Sequence, residues 1–218
     1  MSPRDRVLLV EGRDDREVIY QFCNYYNIDN RNLFSVEAKD GIENLLDDLR
    51  IRVRTGVKVL GAVIDADVDP NDRWEQVCAV LADYGYVLPT QPIREGTILE
   101  APNSRRPQLG IWLMPDNQVS GMLEDFLLRL ANEEDRLISR AENVVDSIPE
   151  TERLFANPKR SKAIIHTWLA WQEEPGTSLG LSITRRYLDP TRNPAPEFKQ
   201  WLEKLFVSDA MASDTEDA

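Results

Sequence analysis

The sequence has little cysteine, no long apolar run, and too few cations to balance its acids. Cys23 and Cys78 are the only two cysteines among 218 residues, and they form no CxxC pair. That excludes a disulfide framework and gives no zinc signature. Both fall in helical patterns and read as reduced core residues. No stretch approaches the ~20 apolar residues a membrane-spanning helix needs. The start, MSPRDRVLLV, holds only a four-residue apolar run, too short for a signal peptide, so a cytosolic protein is expected. Lys and Arg number 26 against 38 Asp and Glu, a formal net charge of −12. The overall field of such a chain does not draw nucleic acid, so any contact with a polyanion needs a local basic patch and metal ions.

What is present suits a globular α/β protein. The hydrophobic fraction is 42%, with five tryptophans, enough for a substantial core. Up to about Leu130, strand and helix patterns alternate, as they do around a parallel sheet. Arg6 to Val10 (RVLLV) predicts a buried strand, followed by the turn EGRDD and a helix with Val18, Ile19, Phe22, Tyr25 and Tyr26 on one face. Leu33 to Ala38 predicts a second strand, and Ile42, Leu45, Leu46, Leu49 and Val53 form a helical stripe. Val57 to Ile64 (VKVLGAVI) predicts a strongly apolar strand ending in DADVDP, with Pro70 opening the next helix. Tyr86 to Gln108, rich in proline and turn residues, predicts irregular structure or a hairpin. Leu109 to Met114 (LGIWLM) predicts another strand, and Met122 to Leu130 a helix.

Beyond Ala131 the strand patterns stop. Ile164, Ile165, Trp168 and Leu169 form one helical stripe; Phe198, Trp201, Leu202 and Leu205 form another. The expected organisation is an α/β domain over 1–130, with a parallel sheet of about four strands flanked by helices. A C-terminal helical extension over 131–207 packs on it, and an acidic tail over 208–218 is polar enough to be disordered.

The acids fall where the strands end. Glu11 and Asp15 follow the first strand; Asp65, Asp67 and Asp69 follow the third. In a parallel sheet all carboxyl ends share one edge, and ligands bind there, where the strand order reverses. If those two strands are neighbours, five carboxylates converge. Crowded carboxylates raise one another's pKa unless a cation neutralises them, and magnesium, a hard ion, takes oxygen ligands. The alternation Asp65-x-Asp67 lets two carboxylates face one ion, and Gly12 allows close backbone approach at the turn. The alternative is that these are ordinary turn and N-cap acids, an account that suits Asp14 and Asp69.

Val10–Gly12 (VEG) and Asp65–Asp67 (DAD) resemble the Glu-Gly and Asp-x-Asp motifs of the Toprim family, each after an apolar strand. The resemblance covers roughly Arg6 to Leu130. It implies metal-dependent phosphodiester chemistry, as in topoisomerases, primases, recombination proteins and overcoming-lysogenization-defect (OLD) nucleases. The OLD-type nucleases and small stand-alone prokaryotic Toprim-related proteins are the nearest in pattern, since Glu11 and Asp15 match the E-x-x-x-D form of the first motif. SGMLED, with Ser120 and Glu124, is similar to a downstream segment near a second metal, though not identically spaced. A late lysine is expected, Lys162 before Lys159. Ser120 has the alternative of capping its helix, and Lys162 that of an ordinary solvated lysine in the run KRSK. His166, the only histidine, reads as structural or exposed.

Three functional readings follow. In the first, a nuclease acts on DNA or RNA in prokaryotic defence or nucleic-acid maintenance. Glu11, Asp65 and Asp67 hold one Mg²⁺ (or Mn²⁺), Asp15 and Glu124 serve a second, and Lys162 offsets transition-state charge. Arg50, Arg52, Arg54, Lys58, Arg105, Arg106, Arg185 and Arg186 could supply a phosphate track, or be surface charges. In the second, a module without its own activity serves a protein partner such as an ATPase, since no GxxxxGK[ST] motif is present. In the third, a haloacid-dehalogenase-like phosphatase, VIDADVD supplies Asp65 as nucleophile and Asp67 as acid/base.

Overall fold

The computed structural model describes residues 5–207; the acidic tail expected over 208–218 lies outside them. Five strands run β1 (Arg6–Val10), β2 (Ser35–Ala38), β3 (Val59–Asp65), β4 (Thr97–Leu99) and β5 (Gln108–Met114). The helices are α1 (Arg13–Tyr26), α2 (Asn30–Leu33), α3 (Ile42–Arg52), α4 (Pro70–Leu81), α5 (Leu123–Arg129), α6 (Arg136–Asp146), α7 (Arg160–Leu169), α8 (Leu179–Thr184) and α9 (Ala195–Phe206). Local signals set several boundaries. Asp69 caps α4 by accepting from the Asn71 amide at 2.8 Å, and Pro70 occupies the first turn, where its missing N–H costs nothing.

The strand order is β2-β1-β3-β5-β4. The first four in that order pair in parallel, as expected; β4, out of the proline-rich stretch, pairs antiparallel to β5 as a hairpin and makes the fifth strand. After β1 the chain moves outward to β2, then returns to the other side of β1 for β3. The strand order therefore reverses between β1 and β3, and the crevice at their carboxyl ends is where such sheets place ligands.

Both faces are covered, which is why the strands read as continuous apolar runs. Val7 and Leu9 join Leu60, Ala62, Ile64 and helices α3 and α4 in one core. Leu8 and Val10 join Val59, Val63, Trp112 and α1, α5, α7 and α9 in the other. The second core runs unbroken past residue 130, so the helical extension and the sheet share one interior.

α9 reaches the sheet through two glycines. Gly61 and Gly110 are register partners on β3 and β5. A Cβ on Gly110 would lie 2.3 Å from Cδ2 of Leu205, and one on Gly61 would lie 2.7 Å from Cδ1 of Leu8 and 3.1 Å from Cδ2 of Leu205. Their bare backbones make the slot that the Leu205 side chain fills. Gly110→Ala is expected to cost ~1–3 kcal/mol by overpacking, and Leu205→Ala to offset part of that cost in the double variant. Urea denaturation of the four proteins checks this coupling. Simple additivity of the two losses would show that Leu205 is not the obstacle.

Candidate metal centre

The crevice between β1 and β3 is acidic because each strand hands over to its helix with a carboxylate. Glu11 follows β1 and turns across the crevice, where its Oε1 accepts from the backbone N–H of Asp65 at 2.8 Å. Asp65 ends β3, and its Oδ1 accepts from the N–H of Leu123, at the start of α5, at 2.9 Å. Asp15, in the first turn of α1, folds back so that Oδ2 accepts from the N–H of Gly12 at 3.1 Å. A Cβ on Gly12 would stand 3.0 Å from that oxygen, so a close approach is what glycine provides here. Glu124 enters from α5, buried, and pairs with Lys162 of α7 at 3.0 Å. Lys162 also lies 3.7 Å from Asp14.

Asp15, Asp65 and Glu124 stand in the wall of a cavity of about 470 Å³, with Arg13, Lys159 and Lys162 around it; Glu11 lies outside its lining. Arg13 and Lys159 are exposed and make no ion pair among the described residues. The carboxylates are strained electrostatically. Burial pushes the Asp15 carboxyl up to about 7, and the charges of Glu11 and Glu124 push the same way against backbone hydrogen bonds. Asp65 is held well above the ordinary carboxylate range by burial and by Asp15, Glu11 and Glu124. Burial also raises Glu11, against the pull of the Asp65 N–H and the Arg73 charge. For Lys162, desolvation lowers the pKa, but its hydrogen bond to Glu124 and the charges of Glu124, Asp14 and Asp15 outweigh it and leave it raised.

The convergence of five carboxylates expected from the sequence is corrected in membership. Glu11, Asp15 and Asp65 come together and Glu124 joins them, but Asp67 and Asp69 turn elsewhere. Asp67 is left-handed (φ 53°) and makes an antiparallel bridge with Gly121, through N–H···O bonds of 2.9 and 2.8 Å. That conformation breaks the strand alternation and directs its carboxylate to Arg73. Arg73 is 8% exposed and also donates Nε to the Asp65 carbonyl at 2.9 Å. The Asp67 charge still reaches Glu11 and helps raise its pKa. Asp69 is spent on the α4 cap.

Other expectations resolve locally. Ser120 does not cap α5: the cap position is Met122, whose N–H is accepted by Asp125, and Asp125 also accepts from Ser161. His166 is exposed and Cys23 buried, both cysteines being free. The arginines named as a phosphate track are dispersed. Arg50 pairs with Asp47, Arg52 with Glu37 and Asp48, and Arg185 with Glu174. Arg54 and Arg106 gather on the Tyr84 ring, near the amino ends of β3 and β5 and so on the edge opposite the acids. The residues the sequence did not single out are Arg13 and Arg73. Arg73 falls within a helix pattern and becomes informative only through its contacts with Asp65 and Asp67.

The donor set suits a hard divalent cation. It is all oxygen, and Glu11, Asp15 and Asp65 each use one carboxylate oxygen on a backbone N–H and keep the other. Among the described residues no three His, Cys, Asp or Glu side chains are already grouped as an ion's ligands. Binding would therefore draw these side chains inward.

Fold and site together define an α/β protein with an acidic crevice, rimmed by cations, at the switch point of its sheet. The chain belongs to the DUF3226 family, described as proteins of unknown function, whose model matches residues 5–207. No curated protein and no solved structure matches it. Among the described residues no helix is long and apolar enough to cross a membrane.

Proposed function

We propose that the protein is a cytosolic, divalent-metal-dependent hydrolase of phosphodiester bonds in nucleic acid. The observation that carries this reading is the meeting of Asp15, Asp65 and Glu124 in one cavity with two cations that have no ion pair among the described residues, Arg13 and Lys159. Burial disfavours the charged forms of Glu11, Asp15 and Asp65, which invites a cation, and Arg13, Lys159 and Lys162 suit the phosphate oxygens that would accompany it. The Toprim-like motifs around Glu11 and Asp65 agree with it.

Mg²⁺ or Mn²⁺ held by Asp15, Asp65 and Glu124, with Glu11 beside them, would supply an acidified water and charge neutralisation. The chain's own groups do the rest. The Asp65 and Leu123 amides fix one oxygen of Glu11 and one of Asp65. Lys162, tied to Glu124, presents a fixed positive charge to the non-bridging oxygens as negative charge builds there. Asp67 does not share that work: with Arg73 bound to it, it supports the β3 turn. The same ion pair argues against the phosphatase reading, which needs Asp67 free to move a proton.

The test is a panel of plasmid, linear duplex, single strands and structured RNA, incubated with Mg²⁺ or Mn²⁺. Wild type is expected to cleave, Glu11→Ala to abolish cleavage, and Lys162→Met to slow it by about 10²–10³-fold. The open grouping of the carboxylates favours one other reading, a module completed by a protein partner such as an ATPase. Silence across the panel from a folded, metal-binding protein would move the assignment there. Phosphate release from a small monoester, lost in Asp65→Asn, would overturn both.

A further inference from the structure

A second cavity, of about 470 Å³, lies one turn further along α1. Arg13 and Asp14 line the acidic cavity, and Glu17, on the same face of α1, lines this one. Its walls are Tyr20, Gln21 and Asn24 of α1, with Asn30, Arg31 and Phe34 from the segment leading into β2. Phe34 is buried and stacked on Phe206, which gives the cavity a rigid apolar floor.

Most of the polar side chains of this cavity have no protein partner. Tyr20, Gln21, Asn24, Asn30 and Arg31 make no side-chain hydrogen bond or ion pair to any described residue. Asn30 is the telling one: the residue is only 6% exposed, its amide has no protein partner, and the surface it keeps lies at this cavity. Water meets that amide in the cavity, and a ligand's own donors and acceptors would replace it.

The chemistry of the wall specifies the ligand. Three carboxamides offer paired donors and acceptors of the kind that read base edges. A tyrosine ring without an aromatic partner offers a stacking face, and an arginine without a carboxylate partner suits a phosphate. Glu17, held by Arg16 at 3.7 Å, can accept from an exocyclic amino group. We propose that this cavity is a nucleotide-binding subsite. On the functional reading above, on which this part rests, its occupant is an unpaired nucleotide of the strand being cut. Tyr20 stands seven residues beyond Arg13, about 10 Å along the helix axis at the usual rise. A duplex would have to flip a base out to fill the site, so single strands are the favoured substrate.

Binding is measured in EDTA, so that metal chemistry is silent. Anisotropy of a short labelled single strand is compared with its duplex, and calorimetry follows AMP and UMP. The single strand is expected to bind at least about tenfold more tightly than the duplex. Tyr20→Ala and Arg31→Ala should each weaken it by about tenfold, while Tyr20→Phe retains it. Thermal melting of each variant verifies folding. Mononucleotide binding that depends on Tyr20, without preference for the strand, would keep the nucleotide site and overturn its assignment to a substrate strand. No Tyr20-dependent binding of either ligand overturns the proposal. The nuclease reading fails separately, if Tyr20-dependent strand binding persists but Glu11→Ala changes no cleavage.

Discussion

At pH 8 and without divalent metal, the double variant Asp15→Asn/Asp65→Asn is expected to melt above wild type. Burial raises the Asp15 carboxyl from 3.8 to about 7, and Asp65 moves in the same direction. Between those values the unfolded chain has released the Asp15 proton while the folded one keeps it. Stability present below pH ~4 is therefore lost as the pH climbs to about 7, at ~1.4 kcal/mol per pH unit. For Asp15 this amounts to a few kcal/mol, and asparagine removes it while keeping an oxygen for the Gly12 N–H. In a protein of this size each kcal/mol shifts Tm by about 2–4 °C, so a rise of roughly 5–10 °C is expected. Wild-type Tm should fall from pH 5 to pH 8, and that of the variant should stay nearly level. Saturating Mg²⁺ should stabilise wild type at pH 8 and leave the variant unmoved. An equal response to metal in both proteins would place the metal elsewhere. A less stable variant in the absence of metal would show that the carboxylates serve the fold.

Removal of α9 should cost the molecule its cooperative fold. Trp201 is fully buried, with its ring centroid 5.9 Å from that of Trp112 and 5.7 Å from that of Phe198. Its Nε1 donates to the Thr97 carbonyl at 3.3 Å, tying α9 to the β4 hairpin. Trp201→Ala alone is expected to cost ~3–5 kcal/mol and to lower Tm by about 10 °C or more. A chain ending at Pro194 also uncovers Trp112 and the Gly61–Gly110 slot. It is expected to bind hydrophobic dye and to lose its sharp thermal transition while keeping helical circular dichroism. A shortened chain that still melted sharply near the wild-type temperature would show that the sheet and its remaining helices are self-sufficient.

The parts of this fold legible in the sequence are those whose signals are local. β1 and β3 are buried on both faces, so RVLLV and VLGAVI stand out as unbroken apolar runs. Asp69-Pro70 marks the start of α4 because a cap and a first-turn proline need no tertiary partner. Strand-end acids identified Glu11 and Asp65 for the same reason. β4 did not stand out, being three residues whose pairing comes from β5. α8 is six residues long and shows no strong stripe, whereas α6 does carry one, with Ala141 and Val145 buried and Leu137 and Ile138 packed beside them. The pairing of Asp67 with Arg73 was not legible, because its left-handed backbone depends on the bridge to Gly121, more than fifty residues away. The nucleotide cavity was illegible for a related reason: Tyr20 and Asn30 are ordinary until α1 and the approach to β2 are brought face to face.

Asp65 ends the middle strand of five, one with both faces covered and both edges paired. Strands in that position open to solvent only when the whole molecule does. The anionic wall therefore cannot fray. A loosely anchored acidic cluster would shed its repulsion by local breathing, at little expense to the rest of the chain. Here the repulsion is transmitted undiminished to global stability, and the two ways left to discharge it are to take up a proton or to take up a cation.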